Sequence, residues 1–547
     1  MPLRSPMPNR GSRPCTRVGL SDRRTVGPML LVLGALLSGS PTVGLSDAVA
    51  QQRSAYEELQ TFSGVLNHVR LNYVDSVTYA QMVRAAIDGV LHALDPHSLF
   101  FSRDDWERRN ALERGDLAVT GLSFENVDSA ITVLSVSPRS PAARAGVLPG
   151  DRLTTVNDTA IAGLDVEKIA LRMAGEKGSK VRLQFERGPR LEPDTFTVTV
   201  KRDYLHPLSV SIVRMADSAT GYVRLDEFGP TAAEEVHRGL KDLKGKGMRR
   251  LILDLRANPG GYVIAAVELA SEFLPKGTVV FRTRGRKKDV DTTYTTKRNG
   301  DFRDLPMVVL IDEYSASAAE ALSASLQDHD RALILGRRSF GKALMQADFL
   351  VLPNGDDLHL TIGYVLSPSG RFIQRRYRGL AVEQYTTLAG KGGAAEDTLR
   401  LFRTDSGRPV RGGGGVTPDV ALAPPAPLPV WWSVASDSGF DFAIADSVAL
   451  TLGLTPAGRD AWMTSPEQWR GMLVAPFLAR VRARLHVAAP VDTALEARLA
   501  RILALRAAEV RWGPEARDEF LVRASADVRS ALGYFPRLAA LLAAPAR

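Results

Sequence analysis

The feature that most constrains the fold lies between residues 220 and 425, where runs of buried-strand residues alternate with helical patterns. The runs are GYVRLDEF, RRLILDLRAN, PMVVLID and RALILG, and a helical pattern follows each of the first three. Strands that alternate with helices form layered α/β structures. At 547 residues the chain is also too long for one hydrophobic core, since domains usually comprise about 100–200 residues. Several folded units are therefore expected.

The rest of the chain divides into regions of different periodicity. Residues 51–112 carry apolar side chains at helical spacing, whereas residues 113–204 consist of short strands separated by turns, which predicts a β-rich module. The α/β region occupies residues 205–425, with a Gly-rich insertion at 375–411, and residues 426–547 are helical in pattern. The predicted fold class is α+β and multidomain, with helical N- and C-terminal regions.

The first fifty residues have the pattern of an export signal. Six arginines precede the apolar run MLLVLGALL, and Ala48-Val49-Ala50 forms an A-x-A cleavage site before Gln51. The apolar run is too short to span a bilayer comfortably, which favours a cleaved signal peptide over residues 1–50. The expected location is periplasmic or otherwise exported, and an uncleaved segment would instead anchor the protein in the membrane.

Charge and cysteine content exclude several classes of function. The formal net charge is +9, part of it from the predicted signal, and no basic motif with interleaved aromatics accompanies it, so nucleic acid is not an expected partner. Cys15 is the only cysteine and lies in the predicted signal, so the mature chain would have neither a disulfide nor a cysteine nucleophile. No HExxH motif or Cys/His cluster indicates a metal, and no cofactor is expected.

The segment GRRSFGKALMQ, residues 336–346, opens with the G-x-x-x-x-G-K of a nucleotide-binding P-loop. A P-loop also needs Ser or Thr after its lysine and a helix N-terminus at the phosphates. Here Ala343 follows Lys342, and the next residues are strand-like. A P-loop NTPase is therefore disfavoured. A lysine can act instead as a general base when burial lowers its pKa.

A general base needs a nucleophile, and IDEYSASAAEALSASLQ places Ser315 and Ser317 where a strand ends and a helix begins. A hydroxyl there is exposed and the following N–H can face an oxyanion, although a serine there can also serve only as a helix cap. NPGG, with Gly260 and Gly261, follows another buried strand, and its backbone can approach a substrate carbonyl. Together with Lys342 these residues predict one catalytic site.

These motifs, in this order, resemble those of the carboxyl-terminal processing peptidases, or tail-specific proteases, over residues 56–421. The family consists of serine proteases with a Ser–Lys dyad and a PDZ domain, and the resemblance implies an α/β core of the crotonase/ClpP-like type. YSASAAEALSASLQD resembles the nucleophile segment and FGKALMQ the base segment. The resemblance implies Ser317 as nucleophile, Lys342 as base and Gln346 as its orienting partner.

Further segments carry the same resemblance. LDLRANPGG resembles the oxyanion strand, which with the residue after the nucleophile implies an oxyanion hole made by Gly260, Gly261 and Ala318. LDPHS resembles the end of the N-terminal helices, and GGGGVTPDV the segment that closes the peptidase core.

The β-rich module resembles a PDZ domain, since SPRSPAARAGVLPGDRLTTVN is similar to the central PDZ signature. PDZ domains receive a peptide carboxylate on backbone N–H groups while a strand edge pairs with the peptide. The segment that aligns with this receptor loop is Thr120, Gly121, Leu122, Ser123 and Phe124. The resemblance implies a PDZ domain at 113–204, inserted ahead of a peptidase core at 205–425.

The function implied by the resemblance is that of an exported serine endopeptidase. It would bind unstructured protein C-termini through the PDZ domain and cleave near them with the Ser–Lys dyad. Ala319 and Ala343 stand where the family usually has Ser and Gly, which keeps open the alternative of a catalytically weak PDZ binding or scaffold protein. The implied partners are proteins or peptides with free C-termini, and an adaptor protein and a homodimer are left open.

Histidine competes with lysine for the role of base. His329 follows Asp328 twelve residues after Ser317, but on a helix that starts near Ser317 it lies roughly 18 Å along the axis. It is therefore not expected to reach the serine, and Asp328 is interpreted as a supporting residue. His97, in LDPHS, is interpreted as a turn residue.

Overall fold

The structure is a computed structural model, and it describes most of the chain after the predicted signal. The described residues are 54–103, 106–107, 118–127, 130–136, 140–148, 150–161, 169, 172–187, 193–204, 208–351, 355–380, 385 and 400–543. The predicted signal peptide and its cleavage site lie outside them. The chain separates into two compact units, residues 1–77 and 78–547. Among the described helices, none is both long and apolar enough to cross a membrane.

The N-terminal region contains two helices, as its apolar spacing predicts. Helix α1 is Ala55–Asn72, in the first unit, and helix α2 is Tyr79–Leu94, in the second. Ser54 and Thr78 cap them, each in a capping box with the Glu or Gln three residues later. A short strand, β1, follows at Leu99–Phe101.

The predicted β-rich module is present and has its own hydrophobic core. Its described elements are β2 Ala118–Val119, β3 Leu122–Val127, β4 Ala130–Val136, α3 Pro141–Arg144, β5 Arg152–Val156, β6 Thr159–Ala160, β7 Lys180–Arg187, β8 Asp194–Lys201 and β9 Asp203–Tyr204. The main sheet has the order β3-β4-β5-β7-β8, and β6 pairs with β5. Val181, Leu183 and Phe185 of β7 are buried, because alternate residues of a strand face the same side.

The predicted alternation of strands and helices is present in the region that follows. Its described elements are β10 Val210–Met215, β11 Thr220–Leu225, α4 Ala232–Gly245, β12 Arg250–Asp254, α5 Val263–Phe273, β13 Val279–Gly285, β14 Thr293–Thr295, β15 Met307–Ile311, α6 Ala318–Asp328, β16 Leu333–Gly336, β17 Leu344–Val351, β18 Asp356–Leu366, β19 Leu401–Arg403, β20 Pro409–Arg411 and β21 Val420–Ala421. The short hairpin β19–β20 lies within the predicted insertion at 375–411.

Two sheets organise this region. The first has the order β10-β11-β12-β15-β16-β21 and is parallel from β11 onward. The carboxyl ends of β12, β15 and β16 therefore lie along one edge. The second sheet has the order β1-β18-β13-β14, with β17 paired to β18. Leu99 of β1 pairs with His359 of β18, which brings the LDPHS turn beside β18.

The C-terminal region is helical, as predicted. Its described α-helices are α7 Val430–Asp437, α8 Phe440–Ala449, α9 Pro456–Thr464, α10 Pro466–Trp469, α11 Ala475–Leu485, α12 Thr493–Trp512, α13 Pro514–Ala524, α14 Ala526–Tyr534 and α15 Leu538–Ala543. A separate hydrophobic cluster holds most of them together, with Trp462 and Phe477 among its largest buried side chains.

The six-stranded sheet has an apolar layer on each face because side chains alternate along its strands. Leu251 and Leu253 of β12 pack in the cluster that includes α4, α5 and α6. Ile252 points the other way, into a cluster with Val528 of α14 and Leu538 of α15. The C-terminal helices therefore complete a three-layer arrangement around this sheet.

Candidate active site

Three loops meet at the carboxyl edge of the six-stranded sheet, and together they carry four of the six residues predicted for catalysis and the oxyanion hole. The loop after β12 contains the glycine pair, the loop after β15 contains Ser317, and the loop after β16 contains Lys342. A cavity of about 360 Å³ lies between them. Five predicted site residues line it: Gly261, Ser317, Ala318, Lys342 and Gln346. Much of the remaining lining is apolar, including Ile264, Phe281 and Val365.

Ser317 is the residue at which the chain turns from the β15 loop into helix α6. Its φ is 55°, a left-handed conformation that few residues other than glycine adopt. Such strain persists only where the surrounding structure holds it, and it concentrates at functional sites. The first-turn amides of a helix lack intrahelical acceptors, so the N–H of Ala318 is a ready donor directly beside the serine.

Ser315, the neighbouring serine, has a structural role. Its side chain is fully buried. Its hydroxyl donates to the Leu255 carbonyl at 2.8 Å and accepts from the Asp312 N–H at 2.8 Å. These bonds join the β12 loop to the β15 loop, and Ser315 is not among the residues that line the cavity.

The glycine pair lets the β12 loop approach the serine closely. Gly260 and Gly261 have φ values of 100° and 132°. A Cβ on Gly260 would lie 2.7 Å from the Ser317 Cβ and 2.9 Å from the Ala318 nitrogen. The N–H of Gly260 donates to Asn258 Oδ1 at 2.8 Å. This differs from the expectation that Gly260 donates to an oxyanion, because its N–H is already hydrogen-bonded to Asn258. The lack of a side chain at Gly260 leaves space for Ser317.

One buried carboxylate joins the serine loop to the lysine loop. Glu320, in the first turn of α6, accepts the N–H groups of Ser317 at 2.9 Å and Lys342 at 2.8 Å. It also accepts the Gly341 N–H at 2.6 Å and the Ser339 hydroxyl at 2.5 Å. Burial raises the pKa of Glu320 to about 7, although these four donors act in the opposite direction. The ionised carboxylate, which only accepts hydrogen bonds, satisfies all four donors.

Gln346 is held by a hydrogen-bond chain that ends in the LDPHS turn. Its Nε2 donates to Thr361 Oγ1 at 3.1 Å, and the Thr361 hydroxyl donates to Asp95 Oδ1 at 3.0 Å. The Thr361 hydroxyl thus donates to Asp95 and accepts from Gln346. This polarity fixes the amide orientation and leaves Gln346 Oε1 for another donor.

His97 is closer to the site than its interpretation as a turn residue suggests. Its Nε2 lies 3.0 Å from the Tyr385 hydroxyl, 288 residues away in sequence. Burial lowers the pKa of His97 to about 4, and the positive charge of Lys342 acts in the same direction. The ring is therefore neutral at neutral pH and lies within electrostatic range of Lys342. The sequence contained no signal for this contact beyond the LDPHS motif itself.

His329 lies at the far end of α6, as the helix geometry predicts. Its Nδ1 is 2.7 Å from Asp405 Oδ2 and its Nε2 is 2.8 Å from the Val279 carbonyl. Neither partner belongs to the cavity, so His329 is not placed to act on Ser317. Asp328 is buried against Arg371, in keeping with a supporting role.

The geometry around Lys342 is not that of a P-loop. The segment that follows it forms β17 and β18, which pair as antiparallel strands, where a P-loop would require a helix. The backbone N–H of Lys342 is bonded to Glu320 and so does not face a phosphate. Within the part of the chain that the structure describes, no group of three or more His, Cys, Asp or Glu side chains could hold a metal ion.

The predicted peptide-binding segment leads into strand β3 of the β-rich module. Thr120 and Phe124 are buried, and Gly121 has a φ of 86°. Leu122 and Ser123 pair through their backbones with Val136 and Ser135 of β4. Among the described strands β3 is the end of its sheet, with β4 as its only partner.

Comparison with known proteins gives the family. Residues 219–383 match the model of Peptidase family S41, and residues 132–187 match a PDZ domain model. The carboxy-terminal-processing protease of Bartonella bacilliformis is 31% identical over 354 residues, which cover 63% of this chain and 80% of that protein. The chain belongs to the carboxy-terminal-processing protease family. It is a serine-type peptidase with a PDZ domain.

Two further proteins are similar to this chain over part of its length. The carboxyl-terminal-processing protease of Picosynechococcus sp. is 32% identical over 289 residues, or 50% of this chain and 66% of that protein. The solved photosystem II D1 C-terminal processing protease is 24% identical to this chain, with a TM-score of 0.36. The match covers 68% of this chain and 87% of the solved chain. The C-terminal helices α7–α15 all follow the S41 match, which ends at residue 383.

Proposed function

We propose that this carboxy-terminal-processing protease is an exported endopeptidase that cleaves near unstructured C-termini, with Ser317 as nucleophile and Lys342 as general base. One observation carries the proposal. Ser317 and Lys342 line the same cavity, and the backbone N–H groups of both residues are bonded to the single buried carboxylate of Glu320. A strained serine and a lysine are thereby held in a fixed relation.

The proposed reaction follows the pattern of nucleophilic catalysis. Neutral Lys342 takes the hydroxyl proton of Ser317 as its Oγ attacks the scissile carbonyl, and the protonated lysine then gives that proton to the leaving amine. The acyl-enzyme ester is hydrolysed in a second step, in which Lys342 takes a proton from water and returns it to Ser317. The peptide bond breaks, one water is consumed, and the enzyme is regenerated.

The oxyanion of this reaction would be stabilised by backbone donors. We assign the donors to the N–H groups of Gly261 and Ala318, which line the cavity, while Gly260 makes room. Fixed donors aimed at a developing charge are among the largest contributions to catalysis. The free Oε1 of Gln346 would accept an N–H of Lys342 and so direct the lysine lone pair towards Ser317.

The substrate would be captured by the PDZ domain before cleavage. The open edge of β3 can accept the backbone of an extended peptide, and the segment Thr120–Phe124 can bind its terminal carboxylate through backbone N–H groups. A free, unstructured C-terminus has both features that this surface requires. The apolar lining of the catalytic cavity favours an apolar residue at the scissile bond.

The proposal also includes the domain division and the assembly. Residues 1–50 would be the signal peptide, 51–112 a helical region, 113–204 the inserted PDZ domain, 205–425 a peptidase core of the crotonase/ClpP-like type, and 426–547 a helical region. No residue of α1 is buried, and its exposed apolar side chains include Leu59, Phe62 and Val65. A second copy of the chain that covers α1 would give a homodimer.

A fluorophosphonate probe tests the proposed function directly. It should label the purified wild type at Ser317, located by peptide mapping, and should leave Ser317→Ala unlabelled. The alternative, a PDZ scaffold protein with little activity, predicts binding of peptides with free C-termini without labelling of either form. Labelling at another serine, or none at all, would contradict the proposal.

A further inference from the structure

The C-terminal helices contact the catalytic loops as well as the back of the sheet. Asp527, near the start of α14, is the point of contact. Its Oδ2 accepts from Arg256 Nη1 at 2.7 Å and lies 3.4 Å from Arg337 Nη1. This one carboxylate oxygen therefore meets arginines from two different loops of the proposed site.

Arg256 belongs to the loop that carries the glycine pair. The next residue, Ala257, has a φ of 58°, so the loop is strained where it turns towards Gly260. Arg256 Nε also donates to Asp254 Oδ1 at 2.9 Å, at the end of β12. With Asp254 on one side and Asp527 on the other, the guanidinium is held at both ends.

Arg337 begins the loop that carries the lysine. Its Nε donates to Glu313 Oε2 at 2.7 Å, and its Nη2 lies 3.7 Å from Asp312 Oδ2. Glu313 and Asp312 stand just ahead of Ser317, so Arg337 also links the lysine loop to the serine loop. The Asp527 contact adds the β12 loop to this connection.

The charges explain why Asp527 matters at this position. The side chains of Arg256 and Arg337 are only 16% and 15% exposed, and both guanidinium groups approach the same oxygen. Like charges repel more strongly where water is partly excluded. An anion between them attracts both and so offsets their mutual repulsion. Removal of Asp527 would leave Arg256 with Asp254 and Arg337 with Glu313, but nothing would then offset the repulsion between the two guanidinium groups.

We propose that Asp527 is a positioning residue: through Arg256 and Arg337 it fixes the β12 and β16 loops, so that the C-terminal helices outside the S41 match set the catalytic geometry. The inference rests on the proposed function of these loops. It assigns to the C-terminal region a role in the rate of reaction in addition to its packing on the sheet.

The chain offers a matched control for this inference. Glu519 of α13 also belongs to the C-terminal region and accepts from Arg214 of β10 at 3.1 Å. Its side chain is 18% exposed, against 17% for Asp527. Strand β10 lies at the end of the sheet, beyond β11 and away from the three loops. Asp527→Asn and Glu519→Gln each remove one similar charge from the same interface, but only the first touches the catalytic loops.

The experiment compares these two variants in the full chain by hydrogen–deuterium exchange and by kinetics. Asp527→Asn should speed exchange at residues 255–261 and 337–343 and lower kcat about tenfold with KM unchanged, because small displacements of reacting groups are costly. Glu519→Gln should change neither, although both variants lose similar thermal stability. Asp527→Glu, which keeps the charge, should retain more activity than Asp527→Asn.

Exchange and labelling separate the positioning role of Asp527 from the proposed chemistry of the site. Unchanged exchange in the loops of Asp527→Asn, or equal effects in Asp527→Asn and Glu519→Gln, would overturn the positioning role whatever the activity. A different outcome is faster loop exchange in Asp527→Asn together with no fluorophosphonate labelling of the wild type. That pair of results would show that Asp527 positions the loops but that the proposed chemistry fails.

Discussion

In the proposed function the peptidase core and the PDZ domain both present backbone to a peptide, but the two regions are held together differently. In the core, buried side chains join the loops: Glu320 bonds the serine and lysine loops, and Ser315 bonds the β12 and β15 loops. In the PDZ domain, β3 has one partner among the described strands. The contacts in the core fix a geometry, whereas the proposed role of the β3 edge is to pair with a peptide. Changes in the core should therefore act on kcat, and changes at the β3 edge on KM.

The largest effect is expected at Ser317. Ser317→Ala should lower kcat at least about a thousandfold, because it removes the atom that attacks the substrate. Ser315→Ala should behave differently: it leaves the Leu255 carbonyl and the Asp312 N–H without their partner, at a cost of about 1–3 kcal/mol in the free energy of unfolding. Peptide hydrolysis and urea denaturation of both variants check this. Full activity in Ser317→Ala would show that Ser317 is not the nucleophile.

The next effect is expected at Thr361, which orients Gln346. Thr361→Val keeps the shape but removes the hydroxyl, so the amide loses its fixed orientation and kcat should fall by up to about 100-fold. Thr361→Ser keeps the hydroxyl and should stay near the wild-type rate. Steady-state kinetics of the two variants decide the point, and equal rates in both would show that the hydroxyl does not orient Gln346.

A smaller effect is expected at the PDZ domain. A substrate whose C-terminal carboxylate is an amide should show a KM about tenfold higher with little change in kcat, because hydrogen bonds to a charged group are lost in capture but not in chemistry. A substrate with the same sequence and a free acid is the control. Equal KM values for the two would mean that this domain is not a receptor for C-termini.

The smallest effect on the rate at neutral pH is expected for a substitution of His97. This change should instead alter how the stability of the protein depends on pH. The folded chain holds the pKa of His97 at about 4, below its ordinary value of 6.5. Between these values the unfolded chain binds a proton that the folded chain does not, so stability falls as pH falls, by up to about 3 kcal/mol. His97→Asn should lose this part of the decline. Urea denaturation at neutral pH and near pH 4 measures it, and an unchanged decline would contradict the burial of a neutral ring.

Periodicity and motifs predicted a large part of this arrangement, because both are local in sequence. The strands β11, β12, β15 and β16 are where the buried runs indicated, and Ser317 and Lys342 line one cavity. The supporting contacts were not predictable in this way. Thr361 and Asp95 are 266 residues apart, and Arg256 and Asp527 are 271 apart. Such contacts depend on how the layers of the fold pack together, and a local sequence pattern does not predict that packing.

Gly260 shows a different limit of sequence reasoning. Its place beside the serine loop follows from the motif, but the use of its N–H depends on the side-chain conformation of Asn258, two residues away. Glu320 is a similar case, because a Glu three residues after a Ser predicts a helix cap. Its contacts with Ser339, Gly341 and Lys342 add a connection to the lysine loop that the cap pattern does not contain.

The most direct test of the central claim, that Lys342 is the general base, is the single-turnover rate of wild type, Lys342→Arg and Lys342→Ala between about pH 5 and 10. The wild-type rate should rise with pH, since the neutral amine is the working form. Burial raises the pKa of Glu320 to about 7 and its ionised form holds the loops, so the rise with pH has two sources and the two Lys342 variants decide between them. Lys342→Arg should be nearly as inactive as Lys342→Ala, because a guanidinium with a pKa above about 12 cannot accept the serine proton. Substantial turnover by Lys342→Arg would contradict the account.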